Sequence, residues 1–195
     1  MPRPQLHAAL ALVVVTGAAS PATADAHPTG ATAPAVASRP TTARATCRLG
    51  WTSGEQQSST RADGYARKGR IVVRTGTHPC FDRVVVEYLP RPGRTPVRWA
   101  ARYTGRTAVD IDDGTVLPIR GKAVLALVVS GEPFGGGSQV LATPRGRPVV
   151  QQVRAGGYMR STSGLNIGVT AERPYRVLDL PGPGGRRRLV IDIAR

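Results

Sequence analysis

Histidine and cysteine are scarce in this 195-residue chain. His7 falls in an apolar leader and His27 in an Ala/Thr/Pro-rich stretch, so His78 stands alone in the remainder, with Cys47 and Cys80 as the only cysteines. A zinc centre of the usual kind needs three or four ligands, and His78 beside Cys80 supplies two, so no metal is expected. Aromatic residues are few, at 5%. The densest basic cluster, Arg186–Arg188, follows the turn PGPGG without an aromatic neighbour, which argues against nucleic acid as a partner. FGGGS (134–138) lacks the spacing and the following Lys-Ser/Thr of a phosphate loop, and reads instead as a flexible hairpin connection. No cofactor is implied. No window of helical length carries a strong 3.6-residue apolar period. No run approaches the roughly 20 apolar residues of a membrane helix.

At the N-terminus MPRPQLH, with Arg3, is followed by AALALVVVTGAA and then by small residues and proline. That order matches a secretory signal over residues 1–24, with small-x-small cleavage motifs at Ala22–Ala24 and Ala24–Ala26. A secreted protein associated with the cell envelope is the expectation. Residues 25–45 lack aromatic residues and apolar periodicity and read as a flexible tail. Residues 46–195 have the size of one domain with one core. The net charge is +15, yet among the 27 basic residues only Lys68 and Lys122 are lysines. So strong an arginine bias reflects a GC-rich genome as much as function, although any basic exported protein meets polyanions.

The domain reads as all-β, an antiparallel sandwich of about 8–10 short strands with little or no helix. The expected strands are 70–76, 82–89, 97–103, 122–130, 140–143, 149–155, 165–172, 175–180 and 187–194, punctuated by Gly, Pro and Asp turns. VVQQVRAGGYM (149–159) is ambiguous and could hold a turn of helix. Alternation puts Val97, Trp99, Ala101 and Tyr103 on one face and Arg98, Ala100 and Arg102 on the other. Val84, Val86 and Tyr88 oppose Arg83, Val85 and Glu87, and Leu189, Ile191 and Ile193 oppose Val190 and Asp192. KAVLALVVS, apolar on both faces, reads as a central strand.

The stretch RTGTHPCFDRVVV (74–86) gathers His78, Pro79, Cys80 and Asp82. Two chemistries compete for Cys80. A thiol nucleophile requires a free thiolate, whereas an isolated pair in an oxidising compartment is most simply a disulfide, Cys47–Cys80. Closing a loop of about 34 residues contributes roughly 3–4 kcal/mol. His78 precedes proline and is expected in an extended turn, so His78, Pro79 and Asp82 read as a structural corner. Asp82, if buried and paired, fixes that corner. DIDDG (110–114) resembles a calcium loop, but its glycine arrives one position early and an Asp/Gly β-turn accounts for it. No pair of acids is singled out for glycoside hydrolysis; most are expected to be solvated, in turns or opposite apolar strand positions.

Cys47 followed four residues later by Trp51, then RTGTHPCFDRVVV, then the ending YRVLDLPGPGGRRRLVIDIA, together resemble the AMIN-like domain of secreted and lipid-anchored proteins of high-GC Gram-positive bacteria. The resemblance runs from about residue 46 to the C-terminus. It implies a β-sandwich and a binding or localisation role, with no catalytic residue. Tyr158-Met159-Arg160 stands where the family commonly has Phe-Glu-Gly, and the lipid-anchor cysteine of many relatives is missing. The expected function is a non-catalytic module at the envelope that associates with anionic wall polymer through exposed Arg74, Arg83, Arg98 and Arg102. The alternatives are a protein-binding module (an inhibitor or assembly factor) and a hydrolase using His78 with Asp82.

Overall fold

The computed structural model describes residues 47–195, apart from 60–61, 63, 68–70, 93–95, 132–133 and 135–136. The expected signal (1–24) and the whole of the expected tail (25–45), with residue 46, lie outside the described residues. All described residues belong to the compact unit Ala43–Arg195. Its strands are β1 (Gln56–Gln57), β2 (Val72–His78), β3 (Phe81–Tyr88), β4 (Trp99–Tyr103), β5 (Ala108–Val109), β6 (Val116–Leu117), β7 (Ala123–Ser130), β8 (Val140–Ala142), β9 (Val150–Met159), β10 (Thr162–Val169), β11 (Tyr175–Pro181) and β12 (Arg187–Ala194). A 3-10 turn at Pro183–Gly185 is the one helical element among the described residues.

The strands form a six-stranded sheet in the order β1-β4-β7-β10-β9-β8, a four-stranded sheet β11-β12-β3-β2, and the small hairpin β5-β6. Every strand pairing is antiparallel. The two large sheets pack face to face as a sandwich. Val84, Val86, Leu189, Ile191 and Ile193 of the smaller sheet meet Leu125, Leu127, Leu165, Ile167 and Val169 of the larger. These are β-branched and γ-branched side chains at alternate positions, the pattern that one buried sheet face selects. Trp99 and Ala101 join this core and Tyr103 packs against it, as the alternation in 97–103 predicts. β7 is central, with β4 and β10 on either side.

Three sequence expectations are corrected. VVQQVRAGGYM holds no helical turn: β9 spans all but its first residue, and Gly157, at φ +76°, accommodates the irregular register with β10. A side chain there would run into the carboxylate of Asp110. FGGGS does not join a hairpin, because β7 and β8 are separated by β10 and β9 in the sheet. Phe134 of that connection is buried. The acids opposite apolar strand positions are not solvated either: Asp192 is fully buried, and Glu87 nearly so.

The β9–β10 hairpin turns through Arg160 and Ser161, both with positive φ, +46° and +65°. A two-residue turn of this kind favours residues without a Cβ penalty. Arg160→Gly is therefore expected to raise stability by about 0.5–1 kcal/mol, read as a higher denaturant midpoint at unchanged slope. An unchanged midpoint would mean that the turn is not strained.

The core also predicts alkaline behaviour. The Tyr175 phenol is pushed from 10.0 up to about 12, mainly by burial and then by Tyr103. Tyr88 is also shifted upward, by burial and then by the adjacent Asp179. A group raised in the folded state contributes its full stability below the unfolded value and loses it as pH climbs toward the folded value. Stability contributed by these phenols should hold up to about pH 10 and fall above it. Absorbance titration of the folded protein should show late-ionising tyrosines that rejoin the ordinary range in denaturant.

Candidate functional site

The corner at 74–86 is a tight hairpin. β2 ends at His78, Pro79 and Cys80 make the turn, and β3 starts at Phe81. Cys80 is bonded to Cys47 (Cα–Cα 5.5 Å), which anchors the segment carrying Trp51. His78 is exposed and stacks flat on Phe81, with centroids 4.3 Å apart, while Trp51 packs on the same ring at 5.6 Å.

Asp82 points the other way, between the sheets. One oxygen accepts the backbone N–H groups of Val149 and Val150 at 2.9 and 3.1 Å. The other accepts the Thr77 hydroxyl at 3.0 Å and the Arg195 guanidinium at 3.1 Å. Arg195 also donates to Thr77. Asp82 thus ties the two sheets together, and it lies on the opposite face from His78. The two do not form a dyad, so the chemistry a hydrolase would need from them is not assembled at this corner. Among the described residues no group of three or more His, Cys, Asp or Glu is placed to hold a metal ion. DIDDG is the β5–β6 turn: Asp110 and Asp113 accept the amides of Asp112 and Thr115.

The four predicted arginines separate. Arg74 and Arg83 lie on the outer face of the smaller sheet, Arg98 and Arg102 on that of the larger. Arg83 donates to Asp192 through two nitrogens, at 2.6 and 2.9 Å, and Arg176 reaches the same carboxylate at 2.9 Å. The hydrogen bond to Asp192 raises the pKa of Arg83. Arg176 lies 4.6 Å over Trp51, and Arg83 5.1 Å over Phe81, so both guanidinium planes are held by rings as well as by charge. Arg74 pairs with Glu87 at 3.4 Å, and Arg186 approaches the same acid at 3.0 Å. Sequence reasoning missed Asp192 and Phe81 as partners of Arg83, and Arg176, stacked on Trp51, as the second arginine on Asp192. Only the opposition of Asp192 to the apolar residues of its strand pointed to its face.

Arg98 and Arg102 open onto a groove along the outer face of the larger sheet. Two adjoining cavities of about 370 and 460 Å³ share Ala100 and Val128 as their floor. The sheet is low here because Ala100, Ala126 and Gly164 carry little or no side chain. One wall is the β5–β6 hairpin: Ala108 and Leu117 pack on Val124, and Asn166 holds the hairpin by donating to the carbonyl of Val109 at 3.2 Å. Ser58, Ser130 and Thr162 line the other end. Arg98 donates weakly to the Ala62 carbonyl (3.3 Å), and neither Arg98 nor Arg102 forms an ion pair among the described residues. The two are four residues apart on one strand, so their Cα atoms are separated by about 13 Å. The described lining contains no histidine or cysteine, and Glu55 is its one carboxylate. The groove thus presents hydroxyl groups and exposed guanidinium groups, all hydrogen-bond donors, beside an apolar floor.

The two antiparallel sheets packed face to face define the chain as a β-sandwich domain. A family model for the AMIN-like domain matches residues 71–195, most of the chain, and the chain belongs to that family. The match starts at β2, so Cys47, Trp51 and β1 lie before it. No curated protein matches the chain. Family membership points to a binding-type module of the envelope, and the disulfide fits a compartment outside the cytoplasm. Among the described residues no helix is long and apolar enough to cross a membrane.

Proposed function

We propose that this domain is a secreted, non-catalytic module that holds anionic wall polymer in the groove on the outer face of its larger sheet, with Arg98 and Arg102 as its principal cations. The observation that carries the reading is the pair of exposed arginines Arg98, immediately before β4, and Arg102, on it. They alternate with buried Trp99 and Ala101, and among the described residues neither forms an ion pair. Guanidinium groups suit phosphate and carboxylate through paired hydrogen bonds. Arg74 and Arg83 lie on the other sheet, paired to Glu87 and Asp192, and take no part in this groove.

Co-sedimentation with isolated wall material tests the reading. Binding should weaken steeply between low and high salt, because exposed charge is screened within about a Debye length. If each arginine contributes about 1 kcal/mol, as a cation does near an anionic lipid surface, Arg98→Gln/Arg102→Gln should bind roughly 30-fold more weakly. Salt-insensitive capture of one protein from the secretome would instead support the protein-binding alternative.

A further inference from the structure

The outer face of the smaller sheet carries its own basic array, on the opposite side of the sandwich from the groove. Two carboxylates sit in it, both buried, and each is shared by two arginines: Asp192 by Arg83 and Arg176, Glu87 by Arg74 and Arg186. One acid between two cations leaves a surplus positive charge at each node. Arg83 and Glu87 are four residues apart on β3 and on the same face, so the nodes are spaced by about 13 Å, like Arg98 and Arg102. The arginines are not fully consumed. Side-chain exposure is 60% for Arg74 and 39% for both Arg83 and Arg176, leaving guanidinium edges turned to solvent. Because the buried acids and the rings of Trp51 and Phe81 already fix these planes, little side-chain freedom is left to lose on binding.

We propose that the domain has two polyanion-binding faces, one on each outer surface of the sandwich, and that a single molecule bridges two phosphate-bearing polymer chains. This rests on the groove reading for one face and adds the arginine–carboxylate nodes for the other. Neither sheet is covered on that side by a described helix, and a sandwich is thick enough, at about 10 Å between sheets plus side chains, for two chains to bind without contact.

The test uses the full chain with long-chain polyphosphate, tripolyphosphate as a ligand too short to be bridged, and light scattering alongside a binding assay. Three double variants carry equal net charge: Arg98→Gln/Arg102→Gln on the groove, Arg74→Gln/Arg176→Gln on the other face, which takes one arginine from each node and leaves each acid one partner, and Arg145→Gln/Arg160→Gln in loops on neither. The native protein should scatter strongly with the long polymer near matched stoichiometry, less with polymer in excess, and not with tripolyphosphate. Each face variant should still bind but lose at least roughly tenfold of the scattering, while the loop control keeps it. Equal loss in the control would show that bulk charge is responsible and would overturn the proposal. Undiminished scattering by either face variant would overturn it as well. Binding without scattering by the native protein would sink the bridge and leave the groove reading standing; no binding of either polyphosphate would sink both.

Discussion

Replacing Asp82 with alanine is expected to lower the stability of the domain by about 3 kcal/mol, because it strands two buried backbone N–H groups at once. Val149 and Val150 open β9 in the larger sheet and have Asp82, from the smaller sheet, as their acceptor. Thr77 and Arg195 lose their shared acceptor in the same step. For a domain of this size the change amounts to a fall in Tm of roughly 6–12 °C. Asp82→Asn should recover only part of the loss: its amide group must face either the two β9 donors or the Thr77–Arg195 pair, and both are donors. A melting temperature within a degree of the native one for Asp82→Ala would remove Asp82 as the tie between the sheets.

Opening the Cys47–Cys80 bridge is the second large effect. The cysteines are 33 residues apart in sequence. A loop of that size contributes roughly 3–4 kcal/mol by restricting the unfolded chain. Cys47→Ser/Cys80→Ser should therefore lose about that much. The structure adds where the loss should first be seen. Trp51 is held on Phe81 and under Arg176 by a segment that the bridge anchors. In the variant, hydrogen exchange should rise earliest at residues 48–52, and tryptophan emission should shift to the red before the sheets open. Equal stability of the variant and the native protein would show that the packing of Trp51 alone holds the segment.

The β-sandwich was legible because its strands are long enough to alternate. Nine of them lie within a few residues of where β-branched alternation and Gly/Pro punctuation put them. β1, β5 and β6 have two residues each, and no period can be read from so short a run. The candidate site was half legible. Arg98 and Arg102 could be placed on an exposed face because Trp99 and Ala101 between them are plainly interior. The same argument placed Arg83 outward and was right about its direction, but it missed what lies beside it. Asp192 is 109 residues away and reaches Arg83 only through the pairing of β3 with β12. Burial of an acid by distant arginines has no local pattern, so the expectation that such acids are solvated failed for Glu87 and Asp192. The groove was not legible for a related reason: its depth comes from small residues on three neighbouring strands, Ala100, Ala126 and Gly164, with the β5–β6 hairpin as a wall.

The central claim is that the groove on the larger sheet is where an anionic chain is held. Titrating isotope-labelled protein with tripolyphosphate at low salt, and following backbone amide shifts, tests it most directly. The account predicts that amides of Arg98–Arg102, Val128 and Asn166 move together and saturate, and that they return when salt is raised. Shifts confined to chain termini and loops, with these groove amides unmoved at saturation, would contradict it.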